Sequence, residues 1–270
     1  MNKKYIMIGC AALAAAAAAG AYFFHASQMR LDEPVFLTHY IESTQCAAGR
    51  SIMLNYITDK NDNRSVFSVS FPECPELSFD VYESDRAYHR YHKTRQIYIQ
   101  SRLDAETPLE PTAVTKVHIE FSDGTGGDFD IGYILAENIP ASGNRLVQTQ
   151  SSGADNSGGS TETKLVFDDC TLTDINSVLD ENCGAAVDIK INGGAAAIPL
   201  ELHKDEAVTF DAGIIVSEPY AYNVYSLDKT LVFEDANGNI HNEYLTNIRY
   251  APEFTEKGIL DFLRERGRIS

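Results

Sequence analysis

The chain has 270 residues, with 22 lysines and arginines against 39 aspartates and glutamates and a formal net charge of −17. Its 44% hydrophobic and 10% aromatic content is that of a folded protein, which excludes a disordered stalk. A field of that sign repels phosphate backbones and so excludes nucleic acid as a partner.

Lys3 and Lys4 precede an uncharged run from Tyr5 to Phe24. At ~1.5 Å rise per residue, a helix of that length reaches across a ~30 Å hydrocarbon core. The two lysines are the flanking charges before Arg30, so the positive-inside bias keeps the N-terminus in the cytoplasm and exports the rest. Residues 1–30 therefore read as a single-pass anchor that meets the membrane through residues 5–24. A cleaved secretory signal is the alternative, because Ala19-Gly20-Ala21 has the small-x-small form of a cleavage site. A lipoprotein signal ending at Cys10 is a third reading, weakened by the short apolar stretch before it. All three place the bulk of the chain outside the cytoplasm, on the cell membrane or secreted.

After the leader the strand signal dominates. Val35 to Tyr40 is apolar, and Ser51 to Ile57 runs into the turn-rich Asp59-Lys60-Asn61-Asp62-Asn63 before resuming at Val66 to Phe71. Valine and phenylalanine alternate there with serine, so the pair reads as a hairpin with one buried face. Lys116 to Phe121 alternates as well, turns at Asp123-Gly124 and returns through Phe129 to Ile134.

Between these lies Arg86-Ala87-Tyr88-His89-Arg90-Tyr91-His92-Lys93-Thr94-Arg95, where three arginines and a lysine crowd together in an acidic chain. Arginine beside tyrosine is the composition of protein interfaces and of sites for carboxylates or phosphates. Arg86, Tyr88, Arg90, Tyr91, Lys93 and Arg95 are the candidate binding residues. A solvated basic loop offsetting Glu83 and Asp85 is the plain alternative. His89 and His92 would share a face on a helix, as a metal pair does, and point apart on a strand.

Gln148 to Thr163 is rich in glycine and serine and reads as a flexible linker. Strands follow at Lys164 to Asp168, Val187 to Ile191, Ile198 to Leu202, Val208 to Val216, Tyr220 to Tyr225, Thr230 to Phe233 and Tyr244 to Tyr250. Turns at Asn192-Gly193-Gly194 and Asn237-Gly238 separate them. Thr255 can cap a closing helix through Ile259, Leu260, Phe262 and Leu263.

The division that results is an anchor or signal over 1–30, a first β-sandwich over 31–147, a linker over 148–163 and a second β-sandwich with its helix over 164–270. Both sandwiches read as Ig-like, in tandem, in a mainly β protein. Cys46 and Cys74 lie in the first and Cys170 and Cys183 in the second. An even number in an exported chain predicts the disulfides Cys46–Cys74 and Cys170–Cys183. No spacing matches a zinc site.

The sequence holds no G-x-S-x-G elbow, H-E-x-x-H zinc pair, phosphate loop or dinucleotide fingerprint. The turns at Asp59–Asn63 and Asp235–Asn239 lack the glycine and glutamate positions of a calcium loop. No cofactor is implied. The expectation is a membrane-anchored extracytoplasmic binding protein whose partner is another surface or envelope protein. In architecture it looks like bacterial surface proteins with one anchor and β-sandwich ectodomains. The alternatives are an exported hydrolase of envelope polymers and a cation- or solute-binding module.

Overall fold

The computed structural model describes residues 3–43, 51–104, 106–138, 145–155, 157–177, 179, 183–218 and 220–269, with the side chains of 3–12, 14 and 247 left aside. The chain is mainly β, framed by one helix at each end. Helix α1 (Lys3–Gln28) covers the expected leader. Among the described residues, however, no helix is long and apolar enough to cross a membrane. The span expected over Tyr5 to Phe24 is thus not found. Ten of the 26 residues of α1 are alanine, whose single methyl group is weakly apolar.

The first sheet holds β1 (Val35–Phe36), β3 (Ser51–Asp59), β6 (His92–Ser101) and β5 (Phe79–Tyr88), in that order. A second, larger sheet faces it with β2 (His39–Ser43), β8 (Gly126–Asn138), β7 (Leu109–Phe121) and β4 (Val66–Ser70). Leu54, Ile97 and Ile99 from the first sheet meet Val117, Ile119 and Ile134 from the second in one buried cluster. Burying each such side chain contributes about 1.5–3 kcal/mol.

The expected hairpin of Ser51–Ile57 with Val66–Phe71 does not form. β3 pairs with β1 and β6, whereas β4 pairs with β7, so the turn at Asp59–Asn63 carries the chain from one sheet to the other. The hairpin around Asp123-Gly124 does form, joining β7 to β8 with Gly124 at φ 78°.

Gln148–Thr163 is not a linker. It folds into β9 (Val147–Ala154) and β10 (Gly159–Val166), which pair along their length. Its inward row is Ser160, Glu162, Lys164 and Val166. Lys164 Nζ donates to Glu162 Oε1 at 2.6 Å, to Thr149 Oγ1 at 3.0 Å and to the Tyr244 carbonyl at 2.9 Å. A buried ion pair stands where an apolar alternation would have signalled a strand.

With β15 (Ala207–Val216), β12 (Ala185–Ile191) and β13 (Gly194–Ala195), these two strands make a five-stranded sheet. Asn192 at φ 51° and Gly193 at φ 77° form the tight turn between β12 and β13. The sheet packs on β11 (Cys170–Asn176), β14 (Leu200–Leu202), β16 (Val224–Asp235) and β17 (Ile240–Tyr250) through Val208, Phe210, Leu231, Phe233 and Leu245. Tyr220–Tyr222, expected as strand, is a single 3₁₀ turn before β16.

The two halves are not beads on a string. β16 carries β17 along one edge; its other edge takes β11 at Thr230–Asp235 and β2 at Val224–Ser226. β2 also runs parallel to β8, so one sheet continues through both cores. Glu42 of β2, buried at the seam, accepts from the Ser177 hydroxyl at 2.7 Å and from the Leu179 and Asp228 amides at 2.9 and 3.2 Å. Gly132 lets β8 approach β2 here, since a Cβ would lie 2.4 Å from the His39 carbonyl oxygen.

A third cluster closes the structure. Helix α2 (Glu256–Glu265) is capped by Thr255, whose hydroxyl accepts from the Gly258 amide at 3.0 Å. Its Ile259, Phe262 and Leu263 pack on Met53 and Ile57 of the first sheet, together with Met29 and Leu31 beyond α1. The expected closing helix therefore lies against the opposite half of the chain. It also explains why both faces of β3 are buried.

The predicted disulfides are absent among the described residues: Cys74, Cys170 and Cys183 are free, buried thiols. Cys170 pairs in register with Asp235, at one end of β16, while the Tyr225 hydroxyl near the other end donates to the Cys183 carbonyl. Ten residues of strand separate Tyr225 from Asp235, about 30 Å, against the ~7 Å that a disulfide can bridge. Cys46 lies outside the described residues, and Cys74 packs in the first core.

Candidate functional site

Residues 86–95 span the end of β5, a tight turn and the start of β6. The His89 amide donates to the His92 carbonyl at 2.8 Å to close the turn. Strand alternation then divides the segment in two. Arg95 and Lys93 continue the inward row of Ile97 and Ile99, and are only 9% and 4% exposed. Arg95 donates through Nε to Asp85 at 2.7 Å and through Nη2 to Glu83 at 3.0 Å. Its Nη1 reaches the Arg64 carbonyl at 2.5 Å. Lys93 Nζ lies 3.3 Å from Asp85.

Burial works against the charge of Arg95, but Tyr56, Glu83 and Asp85 outweigh it and hold its pKa above the usual value. Burial also works to raise Asp85; hydrogen bonds from Tyr88 and Lys93 and the charge of Arg95 overcome it and hold that carboxyl low. The Tyr56 hydroxyl donates to Glu83, and burial followed by that carboxylate's charge drives its pKa up. These groups fasten β3, β5 and β6 to the start of β4. Lys93 and Arg95 are thus structural members of the inner face.

Tyr91 and His92 point the other way, toward the third cluster. His92 is fully buried, with Nε2 2.7 Å from the Met29 carbonyl, and burial lowers its pKa. Tyr91 is half-buried and meets His25 of α1 edge-on at 5.8 Å. His89 Nδ1 lies 3.8 Å from Glu256 Oε2, so the two histidines serve different elements instead of converging on a common ligand.

Tyr88 and Arg90 remain outside, and Arg86 is half-buried. Tyr88 is 63% exposed and donates to Asp85. The Arg90 guanidinium stacks over the Tyr91 ring at 5.1 Å, while its backbone amide donates to Glu256 Oε2 at 2.8 Å. The rim is therefore positioned from below by α2, an element that the sequence gives no reason to connect with it.

Arg90 and Tyr91 form one wall of a cleft of about 790 Å³, with Tyr22 and Ala26 of α1 opposite and Lys60 at the β3–β4 crossover. Its carboxylates are largely engaged. Asp62 accepts from Arg64 Nη2 at 2.8 Å and from the Thr58 hydroxyl at 2.6 Å; burial opposes the charge but these bonds hold its pKa far down. Asp59 accepts from the Leu31 amide at 3.2 Å, and Asp123 from the Thr125 hydroxyl at 2.6 Å. Arg86, Arg90 and Lys60 have no carboxylate partner among the described residues. The result is a small cationic and aromatic rim on an acidic molecule.

No family model matches the chain, and no curated protein matches it. Among solved structures it is similar to a mutant of CfaE, the enterotoxigenic Escherichia coli CFA/I adhesin, at 8% identity and TM-score 0.27, over 83% of this chain and 88% of that one. CfaE itself, the adhesive subunit of that fimbria, is similar at 10% identity and TM-score 0.24, over 84% and 89%. The collagen binding domain of the Erysipelothrix rhusiopathiae surface protein RspB is similar at 10% identity and TM-score 0.25, over 83% and 96%.

Proposed function

We propose that this chain is a non-catalytic binding protein of the cell surface or envelope, and that Arg86, Tyr88 and Arg90, with Lys60 beside them, grip a carboxylate-bearing protein partner. The observation that carries the reading is that Arg90 and Lys60, exposed cations without acid partners among the described residues, line one cleft of a chain whose net charge is −17, with Arg86 and Tyr88 on the same hairpin as Arg90. Arginine offers a planar fork for carboxylates, and tyrosine supplies contact area at small entropic cost. Export is part of the proposal. It rests on Lys3 and Lys4 ahead of the apolar run in α1, which serves as leader or anchor; the buried thiols lend it no support.

The test is capture of partners from an envelope extract by the full chain and by the double variant Arg86→Glu, Arg90→Glu, with captured proteins identified after crosslinking. The variant should melt like the parent and lose at least ~10-fold in capture, about 1.4 kcal/mol. Capture of the same proteins at the same level by the variant contradicts the reading.

A further inference from the structure

The turn beneath the rim is where buried polar groups go unsatisfied. Among the described residues four buried side-chain atoms lack a hydrogen-bond partner: Asn55 Nδ2, His89 Nε2, Tyr91 Oη and His92 Nδ1. Three of them belong to the single turn 89–92, although native interiors leave few such atoms anywhere.

His92 is fully buried. Its Nε2 lies 2.7 Å from the Met29 carbonyl, which can only accept, so the neutral ring carries its proton on Nε2 and Nδ1 is a bare lone pair. A second proton would place at Nδ1 an N–H without an acceptor, on a charge removed from water. The titratable groups that act on the ring are Asp59, opposite it on β3, Glu256 of α2 and His89 of the same turn. Arg30 Nε stands 3.9 Å from the Asp59 carboxylate. Burial lowers the pKa of His92 and His89 adds to this; the Met29 bond, Asp59 and Glu256 act the other way without overcoming it.

His92 holds the root of α1. Side chains 15–25 of that helix are exposed, and full burial begins only at Met29 and Leu31. The Leu31 amide joins the same attachment by donating to Asp59 Oδ1 at 3.2 Å. The geometry points to a pH-operated latch: neutral His92 clasps the Met29 carbonyl and keeps α1 on the hairpin, and the protonated ring lets it go. Tyr22 and Ala26 of α1 form the wall opposite Arg90 and Tyr91, so release opens the cleft. The latch thereby regulates the rim, a consequence that rests on the function proposed above.

A released ring has the ordinary pKa of 6.5 and the docked ring a lower one, so docking weakens as pH falls below 6.5. Asp59 opposes this further down, because burial raises its pKa above 3.8 and acid there favours the docked state.

Hydrogen exchange of the full chain, read by mass spectrometry at about pH 7.5 and about pH 5.5 and corrected for intrinsic rates, tests the latch. Protection of residues 26–31 should fall at least ~3-fold at the lower pH, with about 10-fold the ceiling for one proton, while β15 stays protected. His92→Gln, which keeps a donor for the Met29 carbonyl and cannot be charged, should show no such step. Capture from an envelope extract should change between the two pH values for the parent and not for this variant. Exchange is read without a partner, so capture that fails at both pH values removes the rim and leaves the exchange result to decide the latch. Equal protection of 26–31 at both pH values, a loss no greater there than in β15, or the same step in His92→Gln overturns it. The parental exchange decides if that variant does not fold.

Discussion

Arg95 shows how one residue type takes opposite roles nine positions apart. It and Arg86 sit on the same hairpin, yet Arg95 is locked between Glu83 and Asp85 while Arg86 has no acid partner. Removing one member of a buried ion network leaves the others uncompensated, so Arg95→Ala should cost about 3–5 kcal/mol in a urea melt. Arg90→Glu, at an exposed position, should change stability by no more than ~0.5 kcal/mol. Thiol chemistry is a second residue-scale prediction. Cys74, Cys170 and Cys183 should resist alkylation in the native protein and label fully after denaturation without reductant, as read by peptide mass mapping.

His39 adds a pH dependence. Its Nδ1–H donates to the Ile131 carbonyl at 3.0 Å and its Nε2 accepts from the Asn55 amide at 2.8 Å, an arrangement open only to the neutral ring. Burial lowers its pKa from 6.5 to about 4. Between those values the unfolded chain binds the proton and the native chain does not, so stability rises with pH across that window. The melting temperature should be level above pH 6.5 and fall as pH drops toward 4, with the His39 ring resonances unshifted until the lower end. His92, also lowered by burial, acts in the same direction.

At the scale of elements, the legible parts were those whose local chemistry and tertiary role agree. Asn192-Gly193 and Asp123-Gly124 specify turns through backbone freedom alone, and both turns are present. Thr255 with Ile259, Phe262 and Leu263 specifies a capped amphipathic helix, which also forms. What that stripe covers was not legible, because an apolar face does not name its partner. The same limit applies to β4, which buries Val69 but leaves Phe67 exposed at a register shift, and whose neighbour is β7 rather than β3. β9 and the first half of β10 were missed for another reason: the inward positions of β10 carry serine, glutamate and lysine, and the last two satisfy one another only once the sheet exists. In the site, the crowding of residues 86–95 was visible in the sequence. The division into an inner and an outer set was not, since it follows from the strand phase and from α2. Phe262→Ala should therefore cost about 3–5 kcal/mol and loosen the turn at His89–His92, seen as faster amide exchange of His89.

For the whole molecule, the central claim is that both halves form one body and that the binding rim depends on it. The sheet runs from β11 through β16 and β2 to β4, α2 of one half covers the sheet of the other, and Glu256 holds the backbone of Arg90. Tandem modules joined by a linker would melt independently. Differential scanning calorimetry of the full chain measures this directly. The account predicts one transition whose calorimetric and van 't Hoff enthalpies agree, shifted as a unit by Phe262→Ala. Two separable transitions, only one of them moved by that substitution, would contradict it.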